Sequence, residues 1–385
     1  MIPCDFAVVG GGIAGASAAY ELQTRGSVVL LEREALPGHH TTGRSAAFLV
    51  ESYGSRAVRL LTRGGRRFLE EPPDAFADHA LVHPNPLLWI GRSDQKDSLL
   101  ATVKAGTEAR IDLHPVDMEG ARALCPVLRE EYVAGGALEP GALAIDVAGL
   151  LDGFLRGLRA RGGQIVTNAE VTEMERVGDA WEIAAGGHRF RASVVVNAAG
   201  AWCDELARLA GAQTLGLTPL RRTIIMLDAP PGRDVRSWPC VIDADEQFYF
   251  KPEGGQILAS PCDETPSPPC DATAGDYEVA LAVHRLQRAT SLEVKHVRRR
   301  WAGLRSFVAD RSPVIGMDPE VPGFFWLAGQ GGFGIMTSPA AARAAAALIV
   351  DGSLPADLEA LGLSAEELSP ARATIPRRPS ESPPY

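Results

Sequence analysis

The first 34 residues constrain the fold more than any other stretch of the chain. An apolar run, Phe6-Ala7-Val8-Val9, leads straight into Gly10-Gly11-Gly12-Ile13-Ala14-Gly15; the small-residue segment Ala16 to Thr24 follows, and a second apolar run, Ser27 to Leu31, closes on Glu32. Strand, glycine turn, helix and strand in that order form a βαβ unit. Gly10, Gly12 and Gly15 serve three needs of such a unit that binds a dinucleotide: a tight turn, close approach of a pyrophosphate to backbone N–H groups, and close packing of helix on strand. Glu32, about 20 residues on, suits a ribose, because its carboxylate accepts from paired hydroxyls and repels a 2′-phosphate.

The same glycine pattern recurs near the other end, at Gly329-Gln330-Gly331-Gly332-Phe333-Gly334, between an apolar strand, Phe324 to Ala328, and an Ala-rich helix, Ser338 to Val350. No second strand follows it, so this is not another nucleotide unit. What it offers is a glycine-lined helix N-terminus, whose free N–H groups and positive dipole end favour developing negative charge. A reduced flavin carries such charge along its N1 and C2 carbonyl edge. The pair of motifs predicts FAD, with its adenine end at residues 10 to 32 and its ring near 331 to 334.

A length of 385 residues is roughly two domains' worth. The expected class is α/β, a Rossmann-like FAD domain joined to a second domain on a mixed, largely antiparallel sheet. Asp146 stands as N-cap to an amphipathic helix, Val147 to Arg161, which ends at Gly162-Gly163; short β-type runs follow at 164–166, 169–176, 180–185 and 192–196. Segments with Pro-rich loops and strands at 223–227, 247–250 and 292–301 have a different texture. The division expected is a discontinuous cofactor domain of residues 1–79, 145–202 and 303–368, a substrate domain of 80–144 and 203–302, and a disordered tail, 369–385.

A net charge of -10 opposes nucleic-acid binding, and Arg221-Arg222 and Arg298-Arg299-Arg300 lie in strand-like runs whose alternate residues face opposite sides. No apolar run reaches the 18 to 20 or so residues of a membrane span, and no secretory leader is visible, so a cytoplasmic location is expected. The six cysteines form no CxxC pair and read as reduced thiols. His39 and His40 are adjacent and converge poorly on one ion, so no metal is expected.

Four separated segments, the N-terminal fingerprint, His40-Thr41-Thr42-Gly43-Arg44-Ser45-Ala46-Ala47, Val196 to Asp204 with Ala199-Gly200-Ala201-Trp202, and Trp301 to Asp310 with Gly329 to Gly334, together resemble the D-amino-acid oxidase superfamily. Within it they most resemble the bacterial D-arginine dehydrogenases. The resemblance spans about residues 1 to 370. It implies cofactor contacts from Gly10, Gly12, Ile13, Ala14, Gly15, Glu32, Arg33, Thr42, Gly43, Arg44, Ser45, Ala46, Val171, Ala199, Gly200, Trp202, Arg305, Gly331, Gly332, Phe333, Gly334 and Ile335. It also implies hydride transfer from the Cα of an amino acid to flavin N5, giving an imino acid that hydrolyses to a 2-oxo acid and ammonia. Unlike bacterial sarcosine oxidases, residues 300 to 340 hold no cysteine to join the flavin, so the FAD is expected to be noncovalent.

By the same resemblance Arg305 anchors the substrate carboxylate, the bidentate match a guanidinium offers; Tyr249 is a second contact, Tyr53 a mobile lid residue hinged at Gly54, and Gly332 part of the pocket. Arg222 reads either as a further pocket residue or as a solvated strand arginine. By residue type alone, Arg305 reads equally as a structural ion pair, Tyr249 as a half-buried strand aromatic and Tyr53 as the start of a helix. The chain departs from the arginine enzymes where Leu87 replaces an acid and Phe48 a histidine. An unpaired buried guanidinium costs several kcal/mol, whereas buried apolar surface contributes about 25 cal/mol per Å², so the expected substrate is an apolar D-amino acid. Glu51, beside Tyr53, is the acid that could reverse this preference. A sarcosine or glycine oxidase type and a non-catalytic flavin-fold binding protein are the alternatives; the electron acceptor, quinone or O2, stays open, with a dehydrogenase favoured by resemblance.

Overall fold

The computed structural model describes residues 1–377 and builds two large sheets and one small one. The first sheet has a parallel centre in the order Gln164–Val166, Val28–Leu31, Ile2–Val9, His188–Asn197 and Phe324–Ala328. Val314–Met317 lies antiparallel on its edge, and the meander Val171–Val177, Ala180–Ala185 attaches to the start of His188–Asn197. All residues of Val28–Leu31 and Phe324–Ala328 are buried, as parallel strands covered on both faces must be. One face carries the helices Ile13–Leu22, Val147–Ala160 and Gly334–Val350. The Asp146 carboxylate accepts from Gly149 N at 3.0 Å and so starts the second of these, and Gly162, at φ +88°, lets the chain leave it.

The second sheet has nine strands and is antiparallel except where Cys240–Asp243 runs alongside Leu87–Gly91. Its two longest strands, Thr218–Leu227 and Val297–Phe307, pair along most of their length, with Arg222 opposite Gly303 and Leu220 opposite Arg305. Val297–Phe307 continues through the expected boundary at 302/303, and at its end Ser306 bridges to Gly331 of the C-terminal glycine loop. Phe48–Leu49, Leu143–Ile145 and Val82–Pro84 form the small third sheet.

Three expectations need correction. The last long helix begins at Gly334, not Ser338: Pro339 sits inside it as the sixth residue, and the Ile335 carbonyl that its missing N–H leaves accepts from Ser338 Oγ at 2.9 Å instead. The strand expected at 292–301 is Val297–Phe307, because Leu292 N and Val294 N bond to Thr290 Oγ1 and Gln287 Oε1 and finish the helix Asp276–Ala289 instead of joining a ladder. The expected disordered tail is held in its first part: Arg372 grips Asp310 through Nε and Nη2 at 2.7 and 2.9 Å, and Ile375 is buried against the first sheet's second face. Residues 378–385 of that expected tail lie outside the described residues.

Candidate active site

The site begins where the central strand Ile2–Val9 meets its helix. Gly10 has φ +109°, and a methyl there would fall 2.4 Å from Ala198 O; a methyl on Gly15 would fall 1.9 Å from Gly10 O. Glycine alone lets strand, turn and helix meet this closely. Glu32 is buried, its two oxygens accepting from Gly11 N (2.7 Å) and Glu34 N (2.8 Å), so the carboxylate is fixed at the end of Val28–Leu31. Thr42 Oγ1 accepts from Ile13 N at 3.0 Å, and the Arg33 guanidinium lies over the Trp202 ring at 4.8 Å. Neither Gly12 nor Phe333 supplies a capping side chain to the helix it precedes, which leaves N–H groups for an anion or an electron-rich edge. Gln330 Nε2 and His40 Nδ1 are buried atoms with no hydrogen-bond partner among the described residues, the nearest acid to His40 Nδ1 being Asp271 at 3.9 Å. Both residues line the cavity, so these orphaned atoms and the glycine cradle fit a long polar cofactor.

The cavity continues from the glycine loop to a second end walled by Phe48, Val50, Leu87, Trp89, Ile224 and Ile242, with Arg222, Tyr53, Tyr249, Cys262 and Arg305 as its polar groups. Arg305 lies at the end of Val297–Phe307, its guanidinium 5.9 and 5.7 Å from the ring centres of Phe307 and Phe333. Burial works against its charge, yet the Tyr53 and Tyr249 hydroxyls beside it hold its pKa above the ordinary arginine value. Burial also pushes the Tyr53 phenol up to about 12 and raises that of Tyr249, so both stay protonated donors. A methyl on Gly332 would sit 1.6 Å from Arg305 Nη2: the guanidinium rests directly on that backbone.

Arg222 is a buried strand arginine, donating through Nε to Asp263 O (2.9 Å) and through Nη2 to Glu264 (3.2 Å) while it borders the cavity; the solvated alternative is set aside. Of the residues expected to touch cofactor or substrate, all but Gly15, Gly43 and Phe333 line this one cavity. Gly43 packs under Gly38 O, and Phe333 packs between the rings of Tyr53 and Phe307, at 5.1 and 6.2 Å. Glu51 is not in the cavity wall. It is held by Arg63 and Arg66, each at 3.1 Å, and so is unavailable to a substrate cation.

Sequence reading missed Trp89, Ile242 and Cys262 as cavity residues. Trp89 was legible in principle, since it lies two residues from Leu87 on one strand and shares its face. Ile242 becomes a neighbour only through its pairing with Tyr249, and Cys262 only through a turn at φ +53°; neither has a local signal. The histidines also differ from expectation: ligand atoms of Glu34, His39 and His40 gather within 4.8 Å of one another. Arg33 and Arg44 compete there for Glu34 and Asp271, which opposes binding of a cation.

Residues 5–348 match the family model described as DAO, FAD dependent oxidoreductase. The chain belongs to the DAO family of FAD-dependent oxidoreductases. Its cofactor is FAD, which the glycine cradle and orphaned polar atoms above accommodate. Human mitochondrial sarcosine dehydrogenase is 26% identical over 372 residues, covering 91% of this chain and 40% of that protein. The chain thus spans about two fifths of the length of the sarcosine dehydrogenases it matches. Hydrogen cyanide synthase subunit HcnC of Pseudomonas aeruginosa is 24% identical over 405 residues, 92% of this chain and 94% of that one. In fold, L-proline dehydrogenase from P. horikoshii superposes with a TM-score of 0.84 at 19% identity, covering 96% of this chain and 98% of that one. Glycine oxidase from Geobacillus kaustophilus does so with 0.82 at 22%, covering 92% and 96%. Among the described residues no helix is long and apolar enough to cross a membrane.

Proposed function

We propose that this DAO-family chain oxidises an apolar D-amino acid to the imino acid, which water then converts to a 2-oxo acid and ammonia. The observation that carries the reading is the substrate end of the cavity: a guanidinium, Arg305, shares it with Tyr53, Tyr249 and Cys262 and faces walls of Phe48, Leu87, Trp89 and Ile242, with no carboxylate among the described residues that line this end. A substrate carboxylate supplies the missing anion and the Tyr249 phenol donates to it, while the Tyr53 hydroxyl donates to Glu246 Oε2 at 2.6 Å and turns to the substrate only by giving up that bond. The bound flavin, held noncovalently, supplies the hydride acceptor. The protein's part is orientation, fixing the carboxylate at one end and the side chain at the other so that Cα is presented to the glycine loop. With Tyr53 and Tyr249 held protonated and no histidine or acid in this wall, the amine arrives neutral or gives its proton to water. Leu87 and Phe48 offer nothing to pair with a cationic side chain, which supports apolar substrates over D-arginine.

A second reading, oxidation of an N-substituted or cyclic amino acid, is favoured by the names of the relatives: sarcosine dehydrogenase, L-proline dehydrogenase and glycine oxidase. The carboxylate anchor would be the same. An anaerobic titration of the FAD-loaded protein with D-Leu, L-Leu, D-Arg, sarcosine and L-Pro, following loss of the flavin band near about 450 nm, separates them. Bleaching by D-Leu and not by the others is expected; bleaching by sarcosine or L-Pro alone would replace the first reading with the second.

A further inference from the structure

Where the helix Arg56–Glu70 meets the end of the strand Gly135–Glu139 lies a second, polar cavity, lined by Glu51, Arg63, Arg66, Arg110 and Glu139 among others. Glu139 is its unusual member, being only 3% exposed and ending the strand Gly135–Glu139 opposite Leu87. Its carboxylate reaches away from the substrate sheet to the backbone of another segment: Oε1 accepts from Glu51 N at 2.8 Å and Oε2 from Ser52 N at 3.3 Å. A buried carboxylate is costly unless its lone pairs are used, and here they hold the backbone N–H groups of the two residues before Tyr53. The Ser52 hydroxyl receives Trp89 Nε1 at 3.3 Å, so the same segment is tied to the pocket wall at a second point. Beyond Tyr53 the chain turns at Gly54, φ +92°, where a left-handed conformation gives the segment freedom that these ties remove.

We propose that Glu139 is a positioning residue for the substrate site: it fixes residues 51 and 52 to the strand pair that carries Leu87 and Trp89, and so sets the Tyr53 ring and hydroxyl beside Arg305. The proposal rests on the reading of Arg305 as a carboxylate anchor. The geometry explains why an acid is used. One carboxylate can accept two N–H groups side by side, whereas an amide would turn an N–H2 towards one of them, and a shorter acid would reach neither. Glu51 is taken up by Arg63 and Arg66 and cannot replace it. In the absence of Glu139 the segment keeps the side-chain ties of Ser52 to Trp89, Glu51 to Arg63 and Arg66, and Tyr53 to Glu246, but loses the backbone clamp that sets residues 51 and 52 against the end of the strand.

The test uses the FAD-loaded protein and benzoate, an aromatic carboxylate whose charged and apolar halves match Arg305 and the wall, with binding and release followed by flavin absorbance in stopped flow. Glu139→Gln and Glu139→Asp are compared with Tyr53→Phe, Arg305→Met and the double variant Glu139→Gln with Tyr53→Phe. Both Glu139 variants are expected to release benzoate about tenfold faster with FAD content unchanged, and the double variant to release it little faster than Tyr53→Phe alone. A purely structural role would lower stability and leave the two substitutions additive. Unchanged release in both Glu139 variants, or strict additivity, overturns the proposal while the anchor reading stands. If Arg305→Met binds benzoate as well as the parent does, the anchor reading itself fails and the proposal falls with it.

Discussion

At Gly332 the absence of a single methyl decides where Arg305 lies. The 1.6 Å separation between an added Cβ and Arg305 Nη2 leaves no room for both, and the neighbouring Cζ and Nε are at 2.0 Å, so the whole guanidinium plane would have to leave. Gly332→Ala is therefore expected to lose about 100-fold or more in kcat/KM even when measured on protein reconstituted with FAD. Steady-state kinetics beside the flavin-to-protein absorbance ratio tests this: near-parent kcat/KM would show that Arg305 does not hold the substrate. Residue-level reading of the sequence reached this pair because both members sit inside recognisable segments. It did not reach Glu139, whose partners, Glu51 N and Ser52 N, are backbone groups 88 and 87 residues away. No local pattern marks a side chain that serves another segment's peptide bonds.

At the scale of elements, the turn into the first helix is the least forgiving. Gly15→Ala places a methyl 1.9 Å from Gly10 O, a backbone atom that can move only if the turn opens. That variant is expected to purify largely without FAD and to melt below the parent, both readable from one preparation; a fully yellow protein would mean that the turn has slack the geometry does not show. This βαβ unit was legible because its constraints are local, a positive φ at Gly10 and two apolar strands of the right length. Helix Val147–Ala160 was legible for the same reason, having its cap and its apolar stripe in one run. Elements defined by competition were not. Leu292 to Val294 is apolar enough for a strand but is captured by the end of a helix, and the amphipathic helix Arg56–Glu70, capped by Ser55, went unread beside the more conspicuous glycine motifs.

Across the whole molecule, the far end of the described chain returns to brace the region that carries Arg305. Asp310, five residues after Arg305, is pushed up by burial but pulled further down by Arg372, Thr374 and Ser312 N, to a pKa of about 2. A carboxyl depressed from 3.8 in this way stabilises the fold above its unfolded value and loses that contribution as pH falls through about 2. Arg372→Ala should therefore cost about 2 kcal/mol at pH 7, and the gap between parent and variant should narrow below about pH 4. Urea unfolding of both proteins at several pH values checks this; a gap independent of pH would mean that the pair contributes nothing through its charge.

The strand Val297–Phe307 gives the architecture one more property. It enters as a member of the second sheet and leaves as the support of the glycine loop, with Arg305 two residues before its end. A graft that exchanged residues 203–302 for the corresponding piece of a relative would put its splice inside an unbroken ladder, pairing a foreign Thr218–Leu227 partner against a resident Arg305. If Arg305 holds the substrate as proposed, specificity in this molecule is not a detachable module, and any exchange of substrate preference by recombination has to carry the whole strand, Arg305 included, across with it.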